Sequence, residues 1–143
     1  MKEIKGDIWD YYAKGCWIVI TTNGTVKKNG EAVMGRGVAL EAKQKFPGIA
    51  ADLGIPLSRI GNHVFWLEDR IFSFPVKHEW YQKADIKLIE RSCLELENLT
   101  TDKKVEKIYM VRPGCGNGGL DWKDVKPILE KYLDDRFIIV EKC

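Results

Sequence analysis

The amino-acid sequence predicts an α/β fold, a three-layer α/β/α sandwich around a mixed sheet of about six strands. Three observations lead there. Short apolar runs of strand length alternate with amphipathic stretches of helix length along the chain. Two of those runs lead straight into glycine-rich loops that in turn open helices. With 143 residues and 45% apolar content, the chain can bury one real core, and it carries no repeat, low-complexity tract or linker. Residues 1–143 therefore read as a single domain.

Lys2–Lys5 is a short first strand, and Cys16–Thr22 a longer and more apolar one. Gly37–Phe46 (GVALEAKQKF) is a helix that ends near Pro47, whose ring and missing N–H stop it. His63–Glu68 and Arg70–Val76 are strand candidates separated by so little that they suggest a hairpin. From Ala84 to about Leu99 the pattern is helical, with Ile86, Ile89, Cys93 and Leu96 on one apolar face. Lys107–Val111 is a strand that enters a loop from Pro113 to Gly119. Asp121 is placed to cap the next helix, whose apolar positions include Val125, Ile128, Leu129 and Tyr132. Arg136–Val140 is the closing strand.

Charge narrows the function classes. A formal net charge of +2 makes no global field toward nucleic acid or membrane, so any anion preference must come from local arrangement. No stretch approaches the roughly 18–20 apolar residues that span a bilayer. The start, MKEIKGDIWD, lacks a secretory pattern, and a cytoplasmic monomer is expected. Cys16, Cys93, Cys115 and Cys143 are scattered without a C-x-x-C pair, which argues against a disulfide framework. His63 and His78, the two histidines, lie at no metal-ligand spacing from a cysteine; no metal and no cofactor are expected.

The two strand–loop–helix junctions carry the chemistry. In the first, Ile20 to Lys43, Met34-Gly35-Arg36-Gly37 opens a helix, where glycines let backbone N–H groups approach a ligand. The helix start adds unpaired donors and partial positive charge, a natural seat for phosphate. In the second, Ile108 to Trp122, four glycines fall within the six residues Gly114–Gly119. Neither loop has P-loop spacing or a G-x-G-x-x-G after a first strand. Two glycine loops that converge at the carboxyl ends of strands suggest a diphosphate clamped from both sides; taken singly, each is also compatible with a simple tight turn.

These residues resemble those of a macrodomain over nearly the whole chain. Gly6-Asp7-Ile8 matches the family's opening motif, which implies that Asp7 accepts from an adenine amino group and that Ile8 adds a backbone contact. Asn23 in ITTNG matches the asparagine at the distal ribose. Met34, Gly35, Arg36, Gly37 and Val38 match the first ligand loop, and Gly114, Cys115, Gly116, Asn117, Gly118, Gly119 and Leu120 the second. The string GCGNGGLDW is the most specific of these signals.

Within macrodomains the sequence is most similar to antitoxins that remove ADP-ribose from DNA, with terminal ADP-ribose glycohydrolases next. The segment Ser73-Phe74-Pro75-Val76-Lys77 decides this, because Lys77 matches their catalytic lysine. The resemblance implies an ADP-ribosylglycohydrolase in which Lys77 and Asn23 are catalytic, acting on ADP-ribosylated DNA, other nucleic acid or protein. Removal of phosphate or acetyl groups from ADP-ribose derivatives, and binding without catalysis, stay open as alternatives. The chain departs from the family at three places: Ile20 replaces the first asparagine of N-A-A-N, Val26–Ala32 is longer than the antitoxin loop, and Gly118 replaces an aspartate.

An ordinary lysine, pKa near 10.4, is protonated at neutral pH. As an ammonium, Lys77 would assist the leaving group at the anomeric carbon; with a lowered pKa it would attack the opened ribose and form a Schiff base. Sequence leaves both routes open. Cys115 reads as a small loop residue, His78 as a surface histidine, Trp122 as an anchor for the second loop, and Trp80 and Tyr81 as either a stacking edge or a core cover.

Overall fold

The computed structural model describes residues 1–142; Cys143 lies outside the described residues. In chain order the elements are β1 (Lys2–Gly6), α1 (Ile8–Ala13), β2 (Trp17–Asn23), α2 (Gly37–Lys45), α3 (Ile49–Ile60), β3 (Ile71–Lys77), α4 (Ile86–Asp102), β4 (Ile108–Val111), α5 (Trp122–Tyr132) and β5 (Phe137–Lys142). The strands form one sheet in the order β1-β5-β4-β2-β3, with every neighbouring pair parallel.

A parallel sheet needs cover on both faces, and its strands are apolar on both. Val19, Phe72, Phe74, Met110, Phe137 and Ile139 pack against Ile89, Cys93 and Leu96 of α4 and Val125 and Leu129 of α5. The alternate residues Ile18, Ile20, Ile71, Tyr109, Ile138 and Val140 face Ile8 of α1, Ala39 and Ala42 of α2, and Ile49 and Leu53 of α3. Helices therefore lie on both sides, giving the expected three layers.

The sheet differs from expectation in having five strands, all parallel. His63–Glu68 makes one antiparallel bridge, Trp66 to Phe72, in place of a sixth strand. Side chains compete for its backbone: the Glu95 carboxylate accepts from Val64 N–H and the Ser73 hydroxyl from Phe65 N–H. Two helices, α1 and α3, have no counterpart among the sequence-derived elements. Among the described residues no helix is long and apolar enough to cross a membrane.

With all strands parallel, their carboxyl ends share one edge. The chain leaves β2 toward α2 and α3 on one face and leaves β4 toward α5 on the other, although β2 and β4 are neighbours. Loops that part in opposite directions from adjacent strands open a crevice between them.

Candidate functional site

That crevice is a cavity of about 760 Å³, within the ordinary size range of small-molecule sites. Its floor is made by strand ends: Thr21–Asn23 of β2, Val76 and Lys77 of β3, Val111 of β4 and Val140–Lys142 of β5. Its walls are the two glycine loops, 33–39 on one side and 114–118 on the other.

Both walls present backbone donors. Gly37, Val38 and Ala39 are the first turn of α2, so their N–H groups have no partner within the helix, and the helix dipole adds positive potential there. On the facing wall, the N–H groups of Gly116, Asn117 and Gly118 have no protein acceptor among the described residues. The Arg36 side chain caps nothing and also lines the cavity. Two rows of free amides and a guanidinium are suited to a di-anion stretched between them.

The second wall is fixed by close packing. A Cβ on Gly118 would stand 2.5 Å from the Gly114 carbonyl oxygen and 2.8 Å from Ala84 Cβ. The Gly118 carbonyl in turn accepts from Ala84 N–H at 2.9 Å. Gly37, at φ +56°, brings the first wall close enough that a Cβ there would lie 3.3 Å from Asn117 Nδ2 of the second.

Lys77 ends β3 beside Asn23 of β2, the two being register partners across the sheet. Its carbonyl accepts from Asn62 Nδ2 at 2.9 Å, and its Nζ donates to the Trp80 carbonyl at 3.3 Å. Desolvation by the surrounding protein, with the Arg36 charge second, lowers the Lys77 pKa from the ordinary lysine value. The Asn23 carboxamide holds its own loop: Nδ2 donates to the Val33 carbonyl at 3.1 Å and Oδ1 accepts from Thr25 N–H at 2.9 Å. One amide hydrogen and one lone pair are left over.

Of the sequence-derived residues, Asn23, Met34, Gly35, Arg36, Gly37, Val38, Lys77, Gly114, Cys115, Gly116, Asn117 and Gly118 line the cavity. Asp7, Ile8, Gly119 and Leu120 are outside its lining. Asp7 caps α1, accepting from Trp9 N–H at 3.0 Å, and Ile8 is buried in the core. Leu120 packs against the opposite core, and Gly119 lies beside Lys83. Burial raises the Cys115 thiol pKa, and its Sγ points to the Pro113 carbonyl at 3.5 Å, an inert arrangement. His78 pairs with Asp85 at 2.7 Å, and neither residue lines the cavity.

Sequence reasoning missed Glu41, Arg112, Glu141 and Lys142 in the lining. Arg112 follows β4; its guanidinium lies 3.3 Å from Glu141 and over the Trp122 ring at 4.9 Å, and its Nε is buried without a partner. The usable signal was positional, since residues at the carboxyl ends of parallel strands face the crevice. Among the described residues no group of three metal-ligating side chains comes together.

No family model matches the sequence. Among curated proteins the chain is similar to the DNA ADP-ribosyl glycohydrolase of Thermus aquaticus, at 31% identity over 121 residues covering 74% of this chain and 32% of that one. It is also similar to the DNA ADP-ribosyl glycohydrolase of Mycobacterium tuberculosis, at 26% identity over 108 residues covering 68% and 31%. The chain thus spans about a third of the length of the curated relatives it matches. Among solved structures, the macrodomain of Thermus aquaticus DarG matches with a TM-score of 0.80 at 25% identity, covering 99% of this chain and 97% of that one. The macrodomain of Mycobacterium tuberculosis DarG matches at 0.70 and 25%, covering 86% of each. A three-layer sandwich with an amide-walled cleft at its strand ends, matched nearly end to end by a solved macrodomain, gives this chain the macrodomain fold. Within macrodomains, its similarity is to those of DarG.

Proposed function

We propose that the cleft holds ADP-ribose and that the protein hydrolyses the bond joining ADP-ribose to modified nucleic acid. The observation that carries this reading is the position of Lys77: an amine of lowered pKa, at the end of β3 and beside Asn23, in a cavity walled by two rows of free amides. The amides and Arg36 hold the diphosphate. Asn23 steadies the loop at the distal ribose and offers its remaining amide hydrogen there. Lys77 acts at the anomeric carbon.

A lowered pKa serves both routes open to this lysine. As an ammonium it gives its proton to the departing base while water adds at the anomeric carbon. As a neutral amine it uses its lone pair to attack that carbon, and the base leaves with its bonding pair and one amine proton; the ring C–O bond then opens as the imine forms, its oxygen taking the second amine proton, and water later hydrolyses the imine. Borohydride added during turnover separates them, since only the imine is reduced to a stable protein-bound adduct.

The test is incubation with ADP-ribosylated DNA, ADP-ribosylated protein and ADP-ribose phosphate side by side. Release of free ADP-ribose from DNA is expected, falling at least about 100-fold in Lys77→Ala while calorimetric ADP-ribose binding stays within a few fold. Unchanged turnover in that variant removes Lys77 from the mechanism. Binding without turnover of any substrate makes the protein a reader, and phosphate release alone makes it a phosphatase.

A further inference from the structure

Next to Lys77 the surface carries two aromatic rings that the core does not claim. Trp80 and Tyr81 remain 46% and 67% exposed, and Trp80 also lines the cavity mouth. The rings meet edge to face, centroids 5.7 Å apart with planes at 87°. The turn bearing them is held firmly. Thr25 of the first loop accepts from Trp80 N–H at 3.0 Å and donates to the Glu79 carboxylate at 2.5 Å. Gly24 N–H donates to the His78 carbonyl at 3.1 Å. Gln82 closes the turn, accepting from Glu79 N–H at 3.0 Å and donating its own N–H to the Glu79 carbonyl at 3.1 Å.

Charge on this turn favours an anionic visitor. Its two carboxylates are engaged, Glu79 with Thr25 and Asp85 with His78, whereas Lys83 is exposed and runs beside Gly119 at the foot of the second wall. Lys27 and Lys28 are exposed farther along the loop that contains Thr25. Rigid exposed rings among lysines are the parts of a single-strand nucleic-acid platform, on which bases stack and the backbone finds cations.

We infer that Trp80 and Tyr81 form a stacking platform for nucleobases flanking the modified nucleotide, with Lys83 taking the adjoining phosphate. This rests on the proposed placement of ADP-ribose in the cleft, and it makes a single-stranded segment, in preference to a lone nucleoside or a peptide, the preferred carrier of the modification.

The experiment measures binding in the Lys77→Ala background, so that turnover does not interfere. The probes are free ADP-ribose, an ADP-ribosylated mononucleoside, an ADP-ribosylated single-stranded pentamer and an ADP-ribosylated peptide. The pentamer is expected to bind at least about tenfold tighter than the mononucleoside. Adding Tyr81→Ala should erase that gain and leave free ADP-ribose affinity unchanged, Tyr81→Phe should retain it, and Trp80→Ala should also erase it. Equal affinity for pentamer and mononucleoside, a gain that survives both alanine variants, or a preference for the peptide overturns this inference alone. Failure of every probe to bind removes the cleft reading and this one with it.

Discussion

In the second wall of the cleft, Gly114 and Gly118 are glycines because the protein body leaves no room for a side chain. A Cβ at Gly114 would meet Ile89, Ala84 and Leu120 within 3.1 Å, and one at Gly118 would press on backbone. In the first wall, Gly35 has no heavy atom within 4 Å of where its Cβ would be. The same residue type is used for seating at positions 114 and 118 and for clearance at position 35, and at 116 within the second loop itself. A glycine-rich string in a sequence therefore does not by itself say which glycines a ligand would touch. Contact with the body does.

Substitution sharpens that contrast. Gly118→Ala should have the largest effect: a clash with backbone that cannot yield costs about 2–3 kcal/mol, read as a melting temperature lower by several degrees, with ADP-ribose affinity lost at the same time. Gly35→Ala should be its mirror image. Stability should stay within about 0.5 kcal/mol, while calorimetry shows ADP-ribose binding weakened roughly tenfold by a methyl group projecting into the cleft. If both variants lose stability, or neither loses affinity, the division between seat and clearance is wrong.

A smaller effect tests how the second wall is moored. It hangs on Ala84, next to Asp85, which caps α4 by accepting from Lys87 N–H at 2.9 Å. The hydrogen bond from His78 is the largest influence on the Asp85 carboxyl and holds its pKa below the ordinary 3.8. A carboxyl depressed by folding contributes stability that is present above its unfolded pKa and lost as pH falls through the folded one. The mooring should accordingly loosen below about pH 4. With this side chain 37% exposed, Asp85→Asn should cost no more than about 0.5 kcal/mol at neutral pH and should flatten the acid limb of melting temperature against pH. An unchanged acid limb would assign it to other carboxylates.

What sequence revealed of this molecule follows the same physical line. The helix α4 was legible because Ile89, Cys93 and Leu96 repeat on one face, and β2 because Trp17–Asn23 is buried over most of its length. The helix α3 contains Gly54 and Pro56, both poor helix formers, so its own pattern does not announce it. In the structure Gly54 is a contact point, where a Cβ would collide with the Gly30 carbonyl oxygen of the first loop. The helix α1 has six residues, too few for periodicity to register; Asp7, a cap or turn aspartate by itself and a ligand residue by its family motif, is the cap of that helix. At the site, the glycine loops and Lys77 were visible through residue type and resemblance. The end of β5 was not, because its place in the cleft depends on β5 lying between β1 and β4, an order that local pattern does not encode; Arg112, just after β4, and Glu41, within α2, carry no motif that marks them.

Gly37 and Asn117 lean toward one another from opposite walls, leaving 3.3 Å between a would-be Cβ and the amide nitrogen. A side chain at position 37 would therefore bridge the two turns, and its absence keeps the trench between them open.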